Sequence, residues 1–253
     1  MTESLPPEFL PLLILAGCAS GFLNVMAGGG SMLSLPILLL AGLPAPVANG
    51  TLRVAIIVQN LVAIGTFRKH GFADLKKALW LSLFACIGAG GGALIGVRIA
   101  GPWFDRIVVI TMIAVTLAML RRRPGMTQKE VEITPARRRL GYAVLLLSGA
   151  WAGFIQVGVG FLFMPTLHRI LGMDLVRVNM YKVVIVLPCA ILALAIFAWQ
   201  SEILWLAGLA LAVGNGAGGW LGARLTLSRG EGVIRAVFVA AVAAMAASLL
   251  LRS

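Results

Sequence analysis

Long apolar segments follow one another along almost the whole chain, and they constrain its fold more than any other feature. Gly, Pro and charged residues divide them at residues 9–26, 31–43, 50–67, 78–97, 104–120, 141–157, 160–171, 178–199, 203–223 and 233–251. Hydrophobic residues make up 60% of the 253 positions and charged residues 12%, too few polar groups to cover a soluble domain. The sequence therefore predicts an all-α integral membrane protein with several membrane-spanning helices.

The formal net charge of +12 comes from basic residues that cluster between the apolar segments. The clusters lie around residues 68–77, 121–139, 168–177 and 224–235. All four can be cytoplasmic at once, as the positive-inside rule requires, and this places both termini in the periplasm. Such a distribution orients a membrane protein in the lipid bilayer, and it argues against nucleic acid as a partner.

This orientation makes two pairs of segments return to the side from which they enter. The pairs are 9–26 with 31–43 and 141–157 with 160–171. The second member of each pair is roughly 20 Å long at 1.5 Å per residue, shorter than a hydrocarbon core of about 30 Å. Each pair is therefore predicted to form a re-entrant or broken helix hairpin.

The two halves of the chain resemble each other. The stretch "IGAGGGALIGVRI" at 87–99 matches "VGNGAGGWLGARL" at 213–225, and "GGGSMLSLP" in the first hairpin matches "VGVGFLFMP" in the second. Similar sequence in opposite orientation predicts two inverted-topology repeats, each a hairpin plus three transmembrane helices. The repeats are 1–120 and 140–253, joined by the basic cytoplasmic linker 121–139 into one structural unit. The Gly-x-x-x-Gly stripes favour close helix packing.

Two features within the membrane segments indicate an anion site. The run Gly28–Gly30 interrupts a helix where irregular backbone is tolerated only if it lines a protein cavity, although a tight turn with close packing is the alternative. Arg53 and Lys182 are cations at matching repeat positions, whereas the acidic residues fall in termini, loops or segment ends. Intramembrane charges indicate function, and the alternative is that both side chains snorkel to an interface.

The candidate substrate-binding residues combine these cations with the glycines of the hairpins and nearby polar side chains. They are Arg53, Lys182, Gly28, Gly29, Gly30, Ser31, Asn24, Asn49, Thr51, Gln156, Gly158, Gly160, Asn179 and Tyr181. We find no acid/base or metal-ligand constellation and no phosphate-binding loop, so the sequence predicts neither an enzyme nor a cofactor. Cys18, Cys86 and Cys189 are interpreted as small buried hydrophobes.

The stretch "GFLNVMAGGGSMLSLPILLLAGLPAPVANGTLRVAIIVQN" at 21–60 resembles the sulfite exporter TauE/SafE family, and "GFIQVGVGFLFMPTL" with "VRVNMYKVV" resembles its repeat. The resemblance implies a secondary transporter that moves sulfite, an organosulfonate, sulfoacetate or thiosulfate across the bacterial inner membrane by alternating access. Export of another small anion such as a carboxylate, an anion-conducting pore and a non-transporting membrane subunit stay open. The sequence also leaves open whether the coupling ion is H⁺ or Na⁺ and whether the protein forms a homodimer.

Overall fold

The computed structural model describes residues 8–72, 74–99, 103–104, 106–108, 110–111, 113–114 and 134–250, with side chains through residue 229. Its helices are α1 (Phe9–Ala27), α2 (Ser31–Leu40), α3 (Ala45–Lys69), α4 (Leu75–Gly96), α5 (Pro135–Phe154), α6 (Val159–Pro165), α7 (Leu175–Gln200) and α8 (Trp205–Leu250). A π-helical turn, Thr166–Ile170, continues α6. Much of the predicted segment 104–120 and residues 121–133 of the predicted linker lie outside the described residues.

Within the described residues, five helices are long and apolar enough to cross a membrane: α1, α3, α4, α7 and the part of α8 from Trp205 to Arg229. Large apolar side chains point outward from them, and Leu15 and Trp199 are 69% and 86% exposed. An outward apolar surface is what a lipid environment requires. The prediction of an all-helical, multi-pass membrane protein is confirmed.

Both predicted helix breaks are present. Helix α1 ends at Ala27, and Gly28 takes a left-handed conformation with φ of 80° before α2 begins. In the second half Gly158 takes φ of 70° between α5 and α6. Glycine is the residue that adopts this conformation without a steric penalty. Helix α2 has 10 residues, about 15 Å, so neither α2 nor the shorter α6 spans a bilayer as a continuous α-helix.

The two Gly-x-x-x-Gly stripes pack as predicted, and each packs on a hairpin of the other half. A Cβ on Gly88 of α4 would run into the carbonyl oxygen of Leu146 in α5. A Cβ on Gly214 of α8 would run into that of Ile14 in α1. Gly92, Gly96 and Gly218 make the same kind of contact, and Gly222 makes a looser one. Glycine thus lets α4 approach α5, and α8 approach α1, with backbones in contact.

Three sequence interpretations need correction. Residues 224–235 are not a loop, because α8 is one helix of 46 residues; Gly230 and Gly232 weaken a helix but do not end it, and no proline is present to do so. Helix α5 begins at Pro135, inside the predicted linker. Cys189 is buried as interpreted, but Cys18 and Cys86 are only partly buried; α4 and α7 bring the Sγ atoms of Cys86 and Cys189 to 3.5 Å.

Candidate functional site

The two helix breaks meet where the hairpins touch. The Gly160 N–H donates to the Gly28 carbonyl at 3.0 Å, and a Cβ on Gly28 would lie 2.5 Å from the Gly160 Cα. The Ser31 hydroxyl donates to the Gln156 carbonyl at 2.5 Å. These contacts join residues far apart in sequence, so the first hairpin is fixed against the second through backbone groups.

Packing also explains the other glycines of the first break. A Cβ on Gly30 would collide with the Ser20 carbonyl oxygen, and the Ser20 hydroxyl donates to the Gly30 carbonyl at 2.8 Å. A Cβ on Gly29 would lie 2.7 Å from Cζ of Phe161. The glycine run therefore makes the tight turn and the close approach that the packing interpretation predicts.

Lys182 reaches from α7 to the end of α1. Its Nζ donates to the carbonyls of Asn24 at 2.9 Å and Val25 at 2.7 Å, and to Oδ1 of Asn179 at 3.0 Å. An ammonium has three donors, and each has an acceptor here. Carbonyls of a final helical turn carry the negative end of the helix dipole, which favours a cation.

Arg53 makes the corresponding contact from α3 to the end of α5. Its Nη1 donates to the Ala152 carbonyl at 3.1 Å and to Oε1 of Gln156 at 3.3 Å. Its Nη2 donates to the Gly153 carbonyl and to Oδ1 of Asn49. The guanidinium also lies over a ring of α7, with Cζ 4.7 Å from the centroid of Phe197.

Neither cation lies at the surface of the protein. Arg53 is 0% exposed and Lys182 is 3% exposed. The interpretation that both snorkel to an interface is therefore wrong. Each cation instead satisfies carbonyl groups at the end of a broken helix in the other half of the chain.

A small cavity, with room for about one water-sized molecule, lies between the hairpins and the middle of α3 and α7. Its lining combines amide side chains, one ammonium and small apolar groups: Asn24, Gln59, Asn60, Gln156, Val159, Gly160, Lys182, Val183 and Val186. None of these lining residues is acidic. A positive charge surrounded by amides in a small enclosed space favours a small anion.

The other predicted site residues are buried nearby but support the helices. Asn49 donates to the Phe154 carbonyl at 2.8 Å, and the Thr51 hydroxyl accepts the Leu204 N–H at 3.1 Å. The Tyr181 hydroxyl donates to Oδ2 of Asp74 at 3.1 Å. The lining contains only part of the predicted set: Asn24, Gln156, Gly160 and Lys182.

Two polar residues of the cavity lining are missing from the predicted site set. Gln59 and Asn60 lie in the middle of α3, and each is 1% exposed. Asn60 follows Arg53 by seven positions, which is close to two turns and places both on one helix face. That spacing within an apolar segment was the available indication.

The sequence profile of the family described as sulfite exporter TauE/SafE matches residues 13–249. A probable membrane transporter protein, ORF9, of Sinorhizobium is 26% identical over 98% of this chain and 95% of its own. A probable membrane transporter protein of Xylella fastidiosa is 30% identical over 97% of this chain and 97% of its own. The probable membrane transporter protein YfcA of Escherichia coli is 25% identical over 96% of this chain and 90% of its own. No solved structure matches. The chain belongs to the sulfite exporter TauE/SafE family of membrane proteins.

Proposed function

We propose that the chain is a secondary transporter that moves a small sulfur-containing anion across the bacterial inner membrane. The substrate is sulfite, an organosulfonate, sulfoacetate or thiosulfate. The observation that carries the proposal is the Lys182 ammonium in a cavity lined by amides, with no carboxylate among its lining residues. Family membership supports the transport function.

The substrate is carried by alternating access between two inverted-topology repeats. Each hairpin is held by a cation from the opposite half, Lys182 on α1 and Arg53 on α5. Rocking of the hairpins about their contact at Gly28 and Gly160 opens the cavity to one side of the membrane and then to the other. Orientation follows the charge distribution, with residues 121–139 cytoplasmic and the N-terminus periplasmic.

Substrate binding is coupled to the first hairpin through Lys182. All three donors of its ammonium are engaged by protein acceptors. An anion that contacts Nζ therefore displaces at least one of these three acceptors, and we propose that it displaces a carbonyl of the last turn of α1. This exchange loosens α1 only when substrate is present, which is the differential interaction that a ligand needs to shift a conformational equilibrium.

Transport in proteoliposomes tests the proposal. Purified protein is reconstituted, and uptake and efflux of sulfite, a sulfonate, thiosulfate and a carboxylate are measured with and without H⁺ and Na⁺ gradients. We expect saturable, counterflow-competent movement of at least one sulfur anion. Transport of the carboxylate alone supports the alternative substrate class, and non-saturable flux of all anions indicates a pore.

Cysteine labelling in intact cells tests the orientation. A cysteine introduced at position 3 should react with an impermeant reagent added from outside, and one at position 130 should not. Labelling at position 130 with none at position 3 contradicts the inverted-repeat arrangement.

A further inference from the structure

Asn60 presents a hydrogen-bond donor to the cavity that the protein does not use. Its side chain is 1% exposed and lines the cavity. Its Nδ2 has no hydrogen-bond partner among the described residues. A buried N–H without a partner destabilises the folded protein. A bound molecule that supplies an acceptor oxygen to Nδ2 would remove this cost.

The two glutamines of the cavity are oriented by other side chains. Oε1 of Gln59 accepts from Nδ2 of Asn24 at 3.2 Å. Oε1 of Gln156 accepts from Nη1 of Arg53 at 3.3 Å. With each oxygen held by its donor, the amide nitrogen is the group that each glutamine can offer to a ligand. Arg53 is therefore a positioning residue that acts through Gln156.

We propose that the amide nitrogens of Gln59, Asn60 and Gln156 bind the oxygens of a three-oxygen anionic head, and that Asn60 sets its preference over a carboxylate. The inference rests on the proposed function and identifies the donors of its site. A sulfonate head can accept from all three amides at once. A carboxylate has two oxygens, so one of the three amides has no oxygen to itself. The affinity for a carboxylate is therefore lower than that for a sulfonate. Lys182 attracts both heads and does not distinguish them.

Calorimetric titration in detergent with methanesulfonate and acetate measures this preference. The two probes share a methyl group and a single negative charge, so they differ in the number of head oxygens. The parent protein should bind methanesulfonate more tightly. Asn60→Leu keeps a similar volume without the donor, and we expect about tenfold weaker methanesulfonate binding. Acetate affinity should change less, so that the ratio of the two affinities falls.

Asn215→Leu is the matched control. Asn215 of α8 is also 1% exposed, has an unpaired side-chain oxygen among the described residues and is not part of the cavity lining. The same substitution there should keep the parent's affinity ratio. If Asn60→Leu keeps the parent's ratio, or if Asn215→Leu lowers it equally, the inference is wrong.

Two further variants cover a failure of Asn60→Leu to fold. Asn60→Ser replaces one amide by a smaller side chain, and Gln59→Met replaces another by a more flexible one. Either substitution should lower the affinity ratio. An unchanged ratio in both overturns the inference. If the parent transports a sulfur anion but shows no preference between the probes, the inference alone fails. If no sulfur anion is transported, the proposed function fails with it.

Discussion

Arg53 and Lys182 occupy matching places in the two halves, and their surroundings differ in one decisive respect. Both cross to the last turn of a broken helix in the other half, and each donates to the side-chain oxygen of an asparagine of its own helix, Asn49 or Asn179. Lys182 lines the cavity, whereas Arg53 does not. One cation therefore borders the cavity, and the other is enclosed by the protein.

Both cations bind carbonyls at the end of a helix, but their side chains suit different tasks. An arginine has five donors in a fixed fork, which suits several acceptors held at fixed positions. A lysine has a compact charge on a flexible stem, which can leave one acceptor for another. We infer that Arg53 fixes the second hairpin and that Lys182 links the first hairpin to the ligand.

The largest expected effect is the loss of stability in Arg53→Met. The substitution leaves the carbonyls of Ala152 and Gly153 and the side-chain oxygen of Gln156 without their donor. At about 1–3 kcal/mol for each buried acceptor left unpaired, the free energy of unfolding should fall by about 3–5 kcal/mol. Thermal unfolding in detergent measures this loss. Arg53→Lys keeps the charge but not the fork, so its melting midpoint should lie between those of Arg53→Met and the parent. A melting midpoint equal to the parent's contradicts a fixing role.

A smaller loss is expected where the hairpins touch. The Cβ of Gly160→Ala would overlap the backbone of Gly28, so the tips must separate, at a cost of about 1–3 kcal/mol for overpacking. Gly65→Ala is the matched control in α3, because a Cβ there meets nothing within 4 Å. The control should be neutral or slightly stabilising in the same melting assay. Equal midpoints for both variants would show that the hairpin contact is loose.

Substitutions of the two cations should differ most clearly in their effect on ligand affinity. Lys182→Met removes the positive charge from the cavity and should weaken binding of the transported anion about 10- to 150-fold, as expected for a charge-assisted contact of about 1.5–3 kcal/mol. Arg53→Lys should change affinity far less in the protein that folds. Lys69→Met, at the exposed end of α3, controls for loss of net charge. Unchanged affinity in Lys182→Met would move the site away from this cavity.

Local sequence rules predicted the helix breaks and the presence of buried charges, but not their partners. Glycine at positions 28 and 158 is detectable because left-handed backbone strongly favours that residue. The carbonyls bound by Arg53 depend on where the end of α5 lies against α3, which is a tertiary relation that no spacing encodes. Asn60 was missed because a polar residue within a long helix has the same local pattern whether it faces a cavity or a neighbouring helix.

The smallest expected effect tests whether buried polar residues near the cations belong to the substrate site. Thr51 is two positions before Arg53 and is fully buried, yet its hydroxyl accepts the Leu204 N–H at the start of α8. Thr51→Val preserves the side-chain shape and removes that acceptor, so the free energy of unfolding should fall by about 1 kcal/mol. Affinity for the transported anion should stay at the parent's value, because Thr51 does not line the cavity. Melting and titration of the same preparation separate the two quantities. A variant with the parent's stability and weakened binding would place Thr51 at the substrate and enlarge the site toward α8.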